Sequence, residues 1–328
     1  MATLVTGGAG FVGSNIVKGL AEQGHQVVCF DLTPPDALLR NFFKPWADNV
    51  TFIQGDILSV DDLCQVAISD TNQLSIDKIV HAAAFTPSRV GNLEVERSRD
   101  IVNINIDGTV NLLDLAAGLA LKRFVYVSSE AVYGDPLPGV SQVSEDSLLR
   151  PRNLYAVGKH TSELLTRRYG ELHGFETASV RLSYPYGPME RVTGHRTRMS
   201  QICQWTGNLV RGESIVAEDR ALGRDYTFVG DVASGIQTVL DAPALPHDVY
   251  NVSAGRTITL GEVINALLEL RPSLQVIDSP VLGSSAREPQ AIRDTTRIQT
   301  DLGFSPSHDL TSGLSAYLQW RESSGFTD

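Results

Sequence analysis

A glycine-rich turn close to the start of the chain restricts the possible folds more than any other feature of the sequence. The turn, TGGAGFVG at residues 6–13, separates a short apolar run, Ala2–Thr6, from a helical pattern, Val12–Gln23. Its G-x-G-x-x-G spacing permits a tight turn, close approach of a pyrophosphate to the backbone, and close packing of a helix on a strand. The N-terminus of the following helix favours an anion. The pattern therefore predicts a strand, a dinucleotide-binding turn and a helix.

The first half of the sequence continues to alternate short β-rich runs with longer helical patterns. Strands are predicted at Gln26–Phe30, Val50–Gln54, Lys78–Ala82, Arg123–Val127 and Thr177–Leu182, and helices at Val60–Ile68, Arg97–Leu119 and Tyr155–Leu172. Such alternation builds a parallel sheet with helices on both faces, joined by right-handed crossovers. The predicted fold class is therefore α/β, a Rossmann-type doubly wound parallel sheet with a smaller C-terminal α/β substrate domain.

The pattern changes after Arg181. Residues 184–188 are predicted to form a loop, and residues 190–223 are irregular and rich in arginine. The elements predicted beyond them are strands at Arg224–Val229 and Val249–Val252 and helices at Asp231–Leu240, Leu260–Leu270 and Leu310–Trp320. We expect a nucleotide-binding domain over residues 1–182 and a substrate-binding domain over residues 183–328, with part of 224–252 returning to the sheet.

An acidic residue follows the second predicted strand. Asp31 stands eighteen residues after Gly13, where a carboxylate accepts hydrogen bonds from the ribose hydroxyls of adenosine and repels a 2′-phosphate. No basic residue occurs in residues 32–34, directly after it. The sequence therefore predicts NAD as the cofactor rather than NADP.

A phenol and an ammonium lie one helical turn apart near the end of the predicted nucleotide-binding domain. Tyr155 and Lys159 are four residues apart in a predicted helix and therefore share a face. A free phenol titrates near ~10, and a neighbouring ammonium favours the phenolate. Tyr155 is therefore a candidate general base for alcohol oxidation and general acid for carbonyl reduction. Ser129, at the end of a predicted buried strand, is a candidate to hydrogen-bond the reacting oxygen.

Composition argues against several other classes of function. The 328 residues include 27 basic and 38 acidic side chains, a formal net charge of −11, which disfavours non-specific binding to nucleic acid or anionic membranes. The three cysteines form no C-x-x-C pair, so we expect no disulfide framework and no metal site. The N-terminal apolar run is broken by glycines and has no basic flank, which is not typical of a signal peptide or a membrane span. We therefore expect a cytoplasmic enzyme.

Together these motifs resemble an extended short-chain dehydrogenase/reductase of the NAD-dependent sugar epimerase/dehydratase family, with a UDP-glucose 4-epimerase-like arrangement. The resemblance covers nearly the whole chain, and its motifs occur in order: TGGAGFVG (6–13), Asp31, GDI (55–57), HAAA (81–84), NIDGT (105–109), VSSEAVYG (127–134), YAVGK (155–159), YGP (186–188) and RDY (224–226). It implies that Ser129, Tyr155 and Lys159 are catalytic. The cofactor contacts that it implies are Gly7, Gly10, Phe11, Val12, Gly13, Asp31, Asp56, Ile57, Ala82, Ala83, Ala84, Asn105, Tyr155 and Lys159.

Two departures from the family pattern narrow the reaction. Where similar 4,6-dehydratases carry Thr-Asp-Glu, this sequence has Ser129-Glu130-Ala131, and similar nucleotide-glucuronate decarboxylases also carry Glu at the position of Ala131. A methyl group cannot act as the acid or base of those reactions, so dehydration and decarboxylation are disfavoured. At the second departure, Tyr184 stands where many family members that bind nucleotide-sugars have Asn.

The leading hypothesis is an NAD-dependent epimerase or oxidoreductase. It would act on a carbinol carbon of the sugar in a nucleotide-sugar. The substrate contacts expected on the resemblance are Ser129, Glu130, Tyr184, Arg224 and Arg287. The change at Tyr184 and the arginine-rich segment 181–224 leave open a dehydrogenase of a free sugar, an aldonate or a small hydroxy-acid. A non-catalytic NAD-binding sensor is a third hypothesis, but it predicts loss of the Tyr or Lys, and both are present.

The resemblance also bears on partners. Similar enzymes often dimerise through the two helices predicted here at 97–119 and 155–172, so we expect a homodimer. The expected ligand is a small sugar or sugar-nucleotide, with no nucleic-acid or membrane partner.

Overall fold

The structure is a computed structural model that describes residues 1–68, 75–87, 92–193, 199–279 and 291–328. Its strands are β1 (Ala2–Thr6), β2 (Gln26–Asp31), β3 (Val50–Gln54), β4 (Ile76–His81), β5 (Arg123–Ser129), β6 (Gln142–Val143), β7 (Glu176–Leu182), β8 (Tyr184–Tyr186), β9 (Ile215–Ala217), β10 (Gly223–Arg224), β11 (Tyr226–Phe228), β12 (Val249–Val252), β13 (Ile258–Thr259), β14 (Val276–Asp278) and β15 (Ile292–Arg293). Its α-helices are α1 (Phe11–Glu22), α2 (Ala37–Phe43), α3 (Val60–Ile68), α4 (Leu93–Glu96), α5 (Ser98–Val102), α6 (Gly108–Ala117), α7 (Leu154–His173), α8 (Gln201–Val210), α9 (Val229–Asp241), α10 (Leu260–Leu270), α11 (Thr296–Leu302) and α12 (Leu310–Ser324). Within the described ranges, no helix has the length and apolar character needed to cross a membrane.

A seven-stranded sheet forms the centre of the protein. Its strand order is β12-β7-β5-β4-β1-β2-β3, and all neighbouring strands are parallel. Strand β1 lies between β2 and β4, so the chain builds the sheet outward in both directions from β1. The carboxyl ends on the two sides of this point form the crevice where ligands of doubly wound sheets bind. The predicted α/β, Rossmann-type fold is confirmed.

Successive side chains of the strands enter different apolar cores, as the two-residue period of a strand requires. Val5 and Val125 belong to a core that also includes side chains of α1 and α9. Their neighbours Leu4 and Phe124 belong to a second core, with side chains of α3, α6 and α7. The β-rich runs of the sequence are therefore strands buried on both faces.

A third apolar core lies in the C-terminal half. It contains Trp205 of α8, Ile264 of α10 and Tyr317 of α12. Val249–Val252, in contrast, pairs with β7 as the seventh strand of the central sheet. The boundary that we place at residue 182 stays a prediction, as does the cytoplasmic location.

The long helix expected at 97–119 is interrupted. Helix α5 runs into a π-helical turn, Asn103–Asp107, before α6 begins. Within the turn, Asn105 accepts a hydrogen bond from the Phe85 backbone N–H (2.9 Å) and donates one to the Phe85 carbonyl (3.0 Å). A single inserted residue of this kind leaves the apolar period almost unchanged, so periodicity could not reveal it.

Two further expectations for the second half are wrong. Tyr184–Tyr186 is not a loop but a short strand, paired in parallel with β11. The segment 190–223 is not irregular throughout, since it contains α8 and β9. The signal for α8 is present in the sequence, because Ser200 caps it by accepting a hydrogen bond from the Cys203 N–H.

Candidate active site

A cavity of about 1010 Å³ opens at the carboxyl edge of the sheet. Its wall includes residues of both halves of the chain. Among the residues predicted from the sequence, those that line it are Val12, Ala82, Ala84, Ser129, Glu130, Tyr155, Lys159, Tyr184 and Arg224. The fold thus brings the three expected catalytic residues together with several expected substrate contacts. Arg287 lies outside the described residues.

The glycine turn joins β1 to α1 at one side of this edge. Gly7 has a φ of +69°, and a Cβ at this position would lie 2.6 Å from the Ala83 nitrogen. A Cβ on Gly13 would overlap the carbonyl oxygen of Gly7. Gly10 precedes α1 and provides no side-chain cap, which suits a helix N-terminus that receives an anion. The cradle therefore fits the pyrophosphate of a dinucleotide.

Asp31 lies at the end of β2 and contacts the same turn. Its Oδ2 accepts a hydrogen bond from the Ala9 N–H (3.0 Å), and its Oδ1 accepts one from the Thr33 N–H (2.9 Å). The carboxylate is therefore fixed against the glycine turn, at the edge where an adenosine ribose would lie. This position suits the expected discrimination against a 2′-phosphate.

The other expected cofactor contacts occupy the same edge or lie behind it. Asp56 and Ile57 follow β3, and the Ile57 side chain packs where Gly108 of α6 has no Cβ. Phe11 is buried at the start of α1. Asn105 is buried too, and its amide is used by the Phe85 backbone. The Asn105 amide is thus engaged with the backbone of Phe85, the residue after Ala84, and its contact with the cofactor stays a prediction.

Helix α7 places Tyr155 and Lys159 in the cavity. The helix begins after Asn153, whose side chain accepts a hydrogen bond from the Ala156 N–H (2.8 Å), so Tyr155 lies in the first turn. The Lys159 ammonium lies 5.8 Å from the centre of the Tyr155 ring and donates a hydrogen bond to the Val127 carbonyl (2.7 Å). Burial lowers the pKa of Lys159 to about 7, and the negative charge of Glu163 opposes that shift.

The two serines at the end of β5 have different environments. Ser128 is buried and donates a hydrogen bond to Glu163 Oε1 (2.6 Å). Ser129 lines the cavity, and its Oγ accepts a hydrogen bond from the Ala131 N–H (3.2 Å). Because that hydroxyl still has its own proton to donate, Ser129 can hydrogen-bond a substrate oxygen.

A cation that the sequence did not indicate lies next to Glu130. Arg293 of β15 donates from Nε (2.8 Å) and Nη2 (2.6 Å) to Glu130 Oε2, which also accepts from the Ser183 hydroxyl (3.0 Å). Arg293 lies 163 residues from Glu130 in the chain, so only the tertiary fold reveals the pair.

The pairing of β8 with β11 brings Tyr184 and Arg224 together in the wall of the cavity. The Arg224 guanidinium lies 5.4 Å from the centre of the Tyr184 ring, and Tyr226 meets the same ring edge-on at 6.2 Å. Arg224 donates a hydrogen bond to the Gly223 carbonyl and has no carboxylate partner among the described residues. A cation held on an aromatic ring, without a protein anion, can bind a phosphate or a carboxylate.

These features agree with comparisons to known proteins. A sequence model described as the NAD dependent epimerase/dehydratase family matches residues 3–253. The chain belongs to this family. The dTDP-glucose 4,6-dehydratase of Streptomyces griseus is 30% identical over 97% of this chain and 93% of its own. The putative UDP-glucose 4-epimerase of Methanocaldococcus jannaschii is 28% identical over 99% of each chain.

A solved structure extends the likeness to the fold. The UDP-glucuronic acid 4-epimerase of Bacillus cereus, in complex with UDP-glucuronic acid and NAD, has a TM-score of 0.79 at 25% identity, over 98% of this chain and 99% of that one. The resemblance stated from the sequence and the choice of NAD are therefore confirmed. Because the named relatives include both epimerases and dehydratases, membership of the epimerase/dehydratase family does not by itself decide the reaction.

Besides Arg293, two buried polar groups of this epimerase/dehydratase fold received no role in the sequence analysis. Glu163 lies one turn beyond Lys159 on α7 and forms a buried ion pair with Arg181. His81 is fully buried and contacts the hydroxyls of Thr6 (2.7 Å) and Thr109 (3.0 Å), and burial lowers its pKa to about 3. Glu163 was detectable, since the spacing 155, 159, 163 repeats every four residues.

Proposed function

We propose that the protein is an NAD-dependent epimerase that inverts a carbinol carbon of a nucleoside-diphosphate sugar. The observation that carries the proposal is the convergence of Ser129, Tyr155 and Lys159 in one cavity, with Ala131 beside them. The first three residues provide what reversible alcohol oxidation requires. Ala131 has no group that could serve as the acid or base that elimination would require. The names of the epimerase relatives add support.

In the proposed mechanism, Tyr155 moves the proton of the reacting hydroxyl. As a phenolate it accepts the proton while the alcohol is oxidised, and as a phenol it returns the proton during reduction. The Lys159 ammonium, fixed by the Val127 carbonyl, favours the phenolate. Ser129 donates a hydrogen bond to the same substrate oxygen and steadies the charge that develops there.

The chemistry that bound NAD supplies is reversible acceptance of a hydride, and inversion results when the carbon regains a hydride on its opposite face. The glycine cradle and Asp31 would hold the pyrophosphate and the adenosine ribose.

The surroundings of Ala131 support epimerisation over dehydration. Elimination requires one group to remove a proton and another to protonate the leaving hydroxyl. Ala131 can do neither, and Glu130, the neighbouring acid, forms a salt bridge with Arg293. Oε2 of Glu130 accepts two hydrogen bonds from Arg293 and one from Ser183, so this carboxylate serves as an acceptor that anchors Arg293.

A second group in the wall of the cavity supports a phosphorylated substrate. Arg224 is held against Tyr184 and has no carboxylate partner in the described chain. We propose that Arg224 binds the diphosphate of the substrate and that the rings of Tyr184 and Tyr226 support it. The replacement of Asn by Tyr184 then exchanges an amide contact for an aromatic one.

The test is to incubate the purified protein with UDP-glucose, UDP-glucuronate and dTDP-glucose and to identify the products by NMR. We expect inversion of one carbon without net formation of NADH. Conversion of dTDP-glucose to a 4-keto-6-deoxy sugar would show a dehydratase instead. Steady NADH formation from a free polyol or aldonate, without isomerisation, would show a dehydrogenase.

We also propose that the protein is a homodimer. Helix α7 exposes Val157, Leu164 and Leu172, on the side away from Lys159. Exposed apolar side chains aligned on one helix are typical of a surface that another subunit covers. Analytical ultracentrifugation should show a dimer that Leu164→Glu dissociates, and a monomeric wild type would refute the proposal.

A further inference from the structure

Glu130 separates two cavities. It lines the large cavity together with Ser129 and Tyr155, and it also lines a smaller adjoining cavity of about 260 Å³. Arg293 lies in the wall of the smaller cavity, behind Glu130. The residue that follows Ser129 in the sequence therefore presents a carboxylate in the wall of the large cavity.

The two oxygens of this carboxylate are used differently. Oε2 accepts all three hydrogen bonds, two from Arg293 and one from Ser183. No group in the described part of the chain donates to Oε1. An ionised carboxylate is an acceptor only, so Oε1 is available to a ligand that brings a donor.

We propose that Glu130 determines substrate specificity by accepting a hydrogen bond from a hydroxyl of a neutral sugar and by repelling a sugar that carries a carboxylate. This inference rests on the proposed function, because it assumes that the sugar lies against Ser129 and Tyr155. Glu130 directly follows Ser129 and lines the same cavity, so we place the substituents next to the reacting carbon beside its Oε1. A hydroxymethyl group donates to that oxygen, whereas a carboxylate at the same place would meet a like charge.

Arg293 does not reverse this preference. Its Nε and Nη2 both point at Glu130 Oε2, and its guanidinium lies 5.5 Å from the centre of the Tyr133 ring. Only 6% of the Arg293 side chain is exposed. A carboxylate in the large cavity would therefore meet Glu130 before it could pair with Arg293.

The other charged groups that line the large cavity are Lys159, Glu94 and Arg224. The Lys159 ammonium is bound to the Val127 carbonyl, and Glu94 Oε1 accepts a hydrogen bond from the Leu154 N–H (2.6 Å). Arg224 lies against Tyr184, where we place the diphosphate. With Arg224 assigned to the diphosphate, the described residues that line this cavity leave no further cation to pair with a uronate beside Ser129.

The first experiment compares kcat/KM of the wild-type enzyme for UDP-glucose and UDP-glucuronate, which share a nucleotide and differ in the hydroxymethyl or carboxylate group. We expect UDP-glucose to be favoured by about 10- to 100-fold, the effect of one hydrogen bond to a charged group. A preference for UDP-glucuronate would overturn the inference and leave the epimerase proposal standing. Isomerisation of no nucleotide-sugar would instead overturn the proposed function, and this inference with it.

The second experiment repeats the comparison with Glu130→Gln. We expect kcat/KM for UDP-glucose to fall and that for UDP-glucuronate to rise, so that the ratio drops about tenfold or more. Asp135→Asn is the matched control, because Asp135 lies in the wall of the smaller cavity and pairs with Arg152 at the surface. The control should keep the wild-type ratio.

An equal loss on both substrates in Glu130→Gln would indicate a structural role and overturn the assignment. Bound NAD and the melting temperature report whether the variant folds. If Glu130→Gln does not fold, the ratio of the wild-type kcat/KM values for UDP-glucose and UDP-glucuronate still tests the proposal, because that measurement requires no variant.

Discussion

Arg181 and Glu163 form a buried, bidentate ion pair directly behind the candidate catalytic helix face. Arg181 Nε lies 2.9 Å from Glu163 Oε1, and Nη2 lies 2.8 Å from Oε2. The pair connects α7 to β7, and Ser128 connects the same carboxylate to β5. Tyr155, Lys159 and Glu163 therefore form one stripe on α7, whose position is fixed by two strands of the central sheet.

Glu163→Gln should lower both stability and the pH at which activity is lost. The change leaves Arg181 buried without its anion, which costs about 3–5 kcal/mol of unfolding free energy. It also removes the charge that raises the pKa of Lys159, so that pKa should fall further below about 7. The basic limb of the kcat/KM profile, which follows loss of the Lys159 proton, should then move to lower pH.

Urea unfolding and a pH–rate profile measure the two effects. Ser128→Ala is the control, because it removes the hydrogen bond that the Ser128 hydroxyl donates to Glu163 and leaves the charge of Glu163 unchanged. An unshifted basic limb in Glu163→Gln would show that Glu163 does not act on Lys159.

Lys159→Met should stabilise the NAD-free protein at pH 7. Burial lowers the pKa of Lys159 from its ordinary 10.5 to about 7 in the folded chain. Between these values the unfolded chain holds more protons, so wild-type stability should rise as the pH increases from about 7 to about 10.5. The variant should lack this rise, so its stability advantage over the wild type should shrink toward pH 10. It should also be inactive. Urea midpoints at pH 7 and pH 10 test the sign.

Tyr155→Phe should abolish most of the activity without releasing NAD. General acid–base catalysis contributes roughly 10²–10⁴-fold to a rate, and the phenylalanine ring keeps the packing while losing the proton. Tyr169→Phe is the matched control on the same helix, since the Tyr169 hydroxyl contacts Asp114 at the surface. Turnover by Tyr155→Phe within tenfold of wild type would contradict the assignment. Single-substrate kinetics with quantified bound NAD provide the measurement.

The sequence was sufficient for the part of the site that is built from local geometry. The glycine turn and Asp31 follow from spacing within one strand–turn–helix–strand unit, and the Tyr155/Lys159 pair follows from spacing within one helix. Spacing could not reveal Arg293, which reaches Glu130 from 163 residues away. It also could not reveal the π-helical turn around Asn105, because one inserted residue scarcely alters the apolar period.

The second half shows the same limit for strands. Tyr184–Tyr186 is a strand only because β11 lies beside it, and three residues carry no alternation of their own. The helix α10 was predicted with the bounds that the structure has, and the structure shows a further local signal for it, a capping box formed by Thr259 and Glu262. One long-range pairing was expected, the return of part of 224–252 to the sheet, where β12 pairs with β7. The pairing of β8 with β11 was not expected, because nothing within those short segments indicates it.

Asp31→Asn should weaken the preference for NAD over NADP. The amide oxygen can still accept the hydrogen bond from the Ala9 N–H, so the contact that stabilises the glycine turn is kept. The charge that repels a 2′-phosphate is lost. We expect the ratio of the NADP and NAD dissociation constants, measured by calorimetry, to fall about tenfold or more. Asp31→Ala should in addition weaken binding of both cofactors, because it removes the acceptor. An unchanged ratio in Asp31→Asn would show that Asp31 stabilises the glycine turn and does not discriminate between NAD and NADP.

Gly13→Ala and Gly19→Ala should have opposite effects although both lie in α1. A methyl group at Gly13 overlaps the Gly7 carbonyl, which is backbone and cannot rotate away, so the cradle must open. At Gly19 the nearest atoms are 3.6 Å and 3.9 Å away, in ordinary contact. Gly19→Ala should therefore stabilise the helix by about 0.5–1 kcal/mol. Gly13→Ala should lose NAD binding and lower the melting temperature. If Gly13→Ala bound NAD like the wild type, the turn would not be the pyrophosphate site.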